Sequence, residues 1–171
     1  MPKKDVPSDL DEAASKIEIA KEAIDRAEKE FDRERPKHAK AHVALWDCKD
    51  TIDQCQKGLK KESNTKKIQE LAEKITESEN TCKSEKPTWE STKEKLGLIG
   101  GAARDAHRVL QDQDKELDKI EKDMTRSGAE KSDFDAWDKT IKGLRKFITA
   151  DGTRAFNVLD EVKNLPAPPK L

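Results

Sequence analysis

Apolar residues recur along this chain at alternating intervals of three and four, with charged residues filling the positions between them. From Leu10 the series runs through Ala13, Ile17, Ala20, Ile24, Ala27 and Phe31, a large side chain alternating with alanine. That period puts every member on one stripe of an α-helix and predicts a seam that packs against another helix. Ser8 stands where a cap is needed, and Asp9, Asp11 and Glu12 occupy the first turn, where the helix dipole favours acids. Pro36 predicts the end of this helix near Arg35, because proline disfavours helical geometry in the residue before it. A second helix then starts at Pro36, with the seam His38, Ala41, Leu45, Cys48, Ile52, Cys55 and Leu59. Large and small residues alternate again, so the two helices suit an antiparallel hairpin.

The stretch around Glu62–Lys67 supplies the next turn, and a third seam follows: Ile68, Leu71, Ile75, Ser78 and Cys82. Steps of seven from Cys82 reach Trp89, Leu96, Ala103, Leu110, Leu117 and Met124, so the register persists past Pro87 and past Gly100-Gly101. Both features break helices, and one straight helix through them is not expected. Either the chain turns at Pro87, or it kinks there and turns at Leu98–Gly101; the second division gives helices of more equal length. Gly128 stops this segment and Ser132 caps the last one, whose seam reads Phe134, Trp137, Ile141, Leu144, Ile148, Ala155, Val158, Val162 and Leu165. A kink or short break is expected at Asp151-Gly152, and the prolines of "LPAPPKL" cannot continue the helix. No strand-like alternation occurs. The pattern therefore predicts an all-α fold, an elongated antiparallel bundle of four or five long amphipathic helices over residues 8–165. An N-terminal tail (1–7) and a Pro-rich C-terminal tail (166–171) flank it.

Composition sharpens this picture. With 42% charged and only 33% hydrophobic residues, the seams must be thin and the helical faces polar. The 35 basic and 36 acidic residues are evenly mixed, so the basic footprint of a nucleic-acid binder is missing and no nucleic-acid partner is expected. The run Lys57–Lys67 is locally basic and reads as a solvated turn. No apolar run approaches the ~20 residues a transmembrane helix needs. The first ten residues lack the apolar core of a signal peptide, so a cytoplasmic protein is expected. A secreted mature form is the alternative if cysteines prove to be bridged.

Candidate chemistry is concentrated in Lys37–Cys55. His38 and His42, four residues apart, put two imidazoles on one helical face, a pair of candidate ligands for Zn²⁺ or Cu²⁺. A site needs a third ligand, for which Glu34, Asp47 or His107 are available, and the glutamate of a His-Glu-x-x-His protease motif is absent. Cys48 and Cys55 lie two turns apart, about 10 Å by helical rise, and cannot bond to each other. A hairpin folded about residue 63 puts Cys48 opposite residue 78, one turn from Cys82, which makes Cys48 and Cys82 the candidate disulfide. The glycines of Gly97–Gly101 lack both the preceding strand and the following Lys-Ser/Thr of a phosphate loop. No Ser/His/Asp, Cys/His or paired-carboxylate spacing suggests catalysis, so neither an enzyme nor a cofactor is expected. The function class that fits is a non-enzymatic helical module, an adaptor, chaperone-like or scaffold protein that binds a protein partner through its helix faces as a monomer or homodimer. A bundle that opens onto a lipid or other surface and a small metal-binding bundle are the alternatives.

Overall fold

A computed structural model describes residues 5–171, and three long helices account for nearly all of them. Helix α1 spans Val6–Lys61, α2 spans Thr65–Arg126 and α3 spans Lys131–Lys163, with no strand among the described residues. The all-α expectation stands, whereas the count of four or five helices is corrected to three. Of the tail expected at residues 1–7, residues 1–4 lie outside the described ones. Val6 is already helical and buried, because the cap is Asp5: its Oδ1 accepts from Ser8 N at 3.2 Å.

Each missing break has a local explanation. Pro36 and Pro87 sit inside α1 and α2, both exposed, and the residues four before them, Asp32 and Lys83, are exposed as well. The carbonyl that loses its helical partner therefore faces water, which replaces the bond, and packing on the opposite side keeps the helix running. Gly100 is no turn. It is buried in α2, where a Cβ would lie 3.0 Å from Val162 Cγ1, so α2 and α3 approach each other closely there. Helix α3 likewise runs unbroken through Asp151-Gly152, where Asp151 Oδ1 accepts from Arg154 Nη1 one turn on.

The true turns obey simple chemistry. Asn64 caps α2, its Oδ1 accepting from Lys66 N and Lys67 N, while Glu62 Oε1 takes the Ser63 and Asn64 amides. Gly128 ends α2 with φ 65°, a left-handed conformation that costs a residue without Cβ little. Ser132, expected as a cap, lies inside α3.

The chain divides into two compact units. The first joins α1 up to Glu30 with Leu98–Lys163, so three helices enclose its core. At one level Val6, Leu10 and Ala13 meet Leu117, Ile120, Met124 and Ile141; at the next, Ile17, Ala20 and Ile24 meet Ala106, Leu110 and Ala155. Leu144 and Ile148 of α3 pack against both levels. Two arginines tie α3 down. Arg145 donates to Asp114, Asp118 and Glu121 of α2 at 2.7–3.0 Å, and Arg154 to Glu28 of α1 at 2.6 Å and to Asp25. The Arg154 bond holds the Asp25 carboxyl below its usual range.

The second unit joins Phe31–Gly97 with Asn164–Leu171. Here only α1 and α2 face each other, and Ala41, Leu45 and Cys48 pack against Cys82 and Trp89, with Ile52 alongside. The C-terminal tail belongs to this unit: Pro169 is buried and Leu171 lines a groove between the two helices.

Candidate functional site

The residues singled out in Lys37–Cys55 lie on α1 in the second unit, and α2 decides what each one meets. Cys48 and Cys82 are joined in a disulfide with Cα atoms 6.0 Å apart. His38 bonds Thr92 in the same unit, and both pairs are symmetric about residue 65. The hairpin thus folds one helical turn away from the register expected about residue 63. That turn separates residue 78 from Cys82. Cys55, on the same stripe, is a buried free thiol.

His38 is 2% exposed, on a seam position that would ordinarily be apolar. Its Nδ1 lies 2.8 Å from Thr92 Oγ1. Thr92 Oγ1 also lies 2.9 and 3.1 Å from the carbonyl oxygens of Thr88 and Trp89, so one hydroxyl joins the imidazole to the backbone of α2. The other ring nitrogen, Nε2, is buried without a partner, as is the indole Nε1 of Trp89, tilted against the ring at 5.2 Å. Burial lowers the His38 pKa from its ordinary value, and the neighbouring His42 and Lys93 lower it further. The imidazole is a neutral polar lock between α1 and α2.

His42, one turn on, lies beside this lock with its ring edge-on to Trp46 at 6.3 Å and its Nδ1 buried without a partner. Of the residues available as a third metal ligand, His107 belongs to the first unit, where it lies beside Gly152. Among the described residues no group of three or more His, Cys, Asp or Glu side chains is placed to hold a metal ion.

No family model, curated protein or solved structure matches this chain.

Two sets of residues take places that the seams read from the sequence did not give them. Glu34 is 4% exposed and occupies the seam between Phe31 and His38. Counting three and four straight across Pro36 would have found it; ending the helix at Arg35 hid it. Its Oε1 faces Arg33 and Lys37 at 3.6 and 3.7 Å, and its Oε2 is buried without a partner. The second set is Val43 and Trp46, which lie off the seam, 57% and 41% exposed. Their signal was available as two large apolar residues three apart on an otherwise polar face. No helix among the described residues is long and apolar enough to cross a membrane.

Proposed function

We propose that the chain is a non-enzymatic helical interaction module that binds another protein through the outer face of α1 around Val43 and Trp46. The observation that carries this reading is the exposure of a valine and an indole one turn apart on the outer face of α1, the one exposed tryptophan among the described residues paired there with a branched aliphatic side chain. An exposed indole beside a branched aliphatic side chain is the usual composition of an interface anchor. The rim suits docking as well: Lys40, Asp47 and Asp50 are exposed around the pair and supply both signs of charge. A partner helix with an apolar stripe would cover Val43 and Trp46 by the same packing that joins α1 to α2.

The test is capture of a partner from native extract with the intact chain and with Trp46→Glu and Val43→Glu variants. The reading requires a stoichiometric partner whose binding falls on the order of tenfold or more with either substitution, as central anchors do. Helicity must be unchanged. A partner that both variants retain would reject this face, and the absence of any stoichiometric partner would reject the module.

A further inference from the structure

We infer that the C-terminal tail is a strap whose docking is controlled by the redox state of Cys48 and Cys82. Three independent features of the second unit converge on this. The tail leaves α3 at Lys163 and, although short and rich in proline, has Pro169 buried and Leu171, itself 63% exposed, at the rim of a groove of about 500 Å³. One wall of that groove is α1, through Lys49, Ile52, Asp53 and Gln56; the other is α2, through Glu79, Cys82, Lys83 and Lys86. The disulfide from Cys48 to Cys82 is the covalent tie between those two walls, and Cys82 itself lines the groove together with Leu171.

Packing alone holds the walls weakly on the hairpin-turn side of the bridge. Ile52, Leu71 and Ile75 are only half-buried there, and Ile68 is exposed. The spacing of the walls, and with it the surface offered to Pro169 and Leu171, therefore depends on the bridge. Reduction by a dithiol, small or protein-borne, transfers two electrons and two protons to the bridge. Cys48 and Cys82 become thiols and the dithiol leaves as its own disulfide. The walls are then free to separate, and the strap loses its seat. Coupling of this kind is reciprocal: a bridge that favours the docked tail is itself favoured by the docked tail.

Two measurements test the inference on the full-length chain, with Cys55→Ser as the background so that the free thiol cannot exchange. The first is the rate at which a carboxypeptidase that accepts proline passes Pro169, which is buried whereas Lys170 and Leu171 are exposed, in the oxidised and the dithiol-reduced protein, with helicity followed in parallel. Release should accelerate on the order of tenfold upon reduction, a typical coupling between sites. Equal rates overturn the strap. The second is the equilibrium of Cys48–Cys82 with a dithiol buffer, with and without residues 166–171, read under conditions in which circular dichroism shows that the reduced protein keeps its helicity. Removing the tail should shift that equilibrium toward the thiols by the same factor, and an unchanged equilibrium overturns the coupling.

Discussion

Two glycines that are adjacent in sequence have opposite roles, and a methyl group distinguishes them. A Cβ on Gly101 meets nothing within 4 Å, so Gly101→Ala removes backbone freedom from a helix interior and should stabilise the protein by about 0.5–1 kcal/mol. A Cβ on Gly100 meets the stiff, β-branched Val162 at 3.0 Å, and overpacking of this kind costs about 1–3 kcal/mol. Urea unfolding should therefore show a higher midpoint for Gly101→Ala and none of that gain for Gly100→Ala, with Val162→Ala restoring it in the Gly100→Ala background. Equal gains at both positions would mean that α2 and α3 are not in contact there. His38 is the other residue with a legible consequence. Its folded pKa lies below the ordinary 6.5 because the ring is buried beside His42 and Lys93. The unfolded chain therefore takes up the proton first as pH falls. The stability tied to neutral His38 is complete above 6.5 and is lost as pH drops from there through the lower folded value. Thermal unfolding between about pH 7.5 and about pH 5 should show this decline in the native chain and a flatter profile in His38→Leu, since histidine is the side chain that titrates in that window. Parallel profiles would remove His38 as the cause.

At the scale of elements, the question is what holds α3 against the rest of the first unit. Its apolar contribution is narrow, with Ile141, Ala155 and Val158 buried and Trp137, Leu144 and Ile148 partly so. The two arginines supply the remainder but are not equivalent. All three partners of Arg145 are well exposed, and truncation to alanine should cost about 1 kcal/mol or less, as for surface pairs. Arg154 also satisfies Asp151, which is 4% exposed and whose Oδ2 already lacks a partner. Arg154→Ala leaves that carboxylate buried with no counter-charge, at a cost on the order of 2–4 kcal/mol. Denaturant titration should rank Arg154→Ala well below Arg145→Ala, and Asp151→Asn should recover part of the Arg154→Ala loss. If the two arginine variants are equally stable, Asp151 is not the reason for the difference in environment. Neither arginine could be singled out beforehand. Among 35 basic residues nothing local marks the two whose partners lie more than twenty positions away.

At the scale of the whole molecule, burial is graded along the helices. Ile24, Leu110 and Leu117 are essentially inaccessible, whereas Ile52, Leu59, Leu71 and Ile75 toward the α1–α2 turn are only half-buried. Amide hydrogen exchange should follow that gradient, fastest over residues 56–75 and slowest around Ile24 and Leu110, because local opening is cheapest where few apolar contacts are lost. Uniform protection along α1 would show that the chain opens only as one unit. The helical stripes, the hairpin that sets the Cys48 segment against the Cys82 segment and the stop at Gly128 were legible in the sequence. Each depends on a period or a backbone preference that acts within a few residues. The antiparallel hairpin expected at Pro36, by contrast, does not form, both of its seams lying on α1. Of the candidate site, the sequence identified His38 and Cys48 as seam residues and proposed Cys82 as the partner of Cys48, but not the seam position of Glu34, the pairing of His38 with Thr92 or the tail on the groove. Only tertiary structure decided those, together with the fate of Pro36, Pro87, Gly100 and Asp151. Whether a proline ends a helix depends on whether its freed carbonyl faces water, and whether a glycine turns the chain depends on what packs against it. Those environments are set by residues far away along the chain.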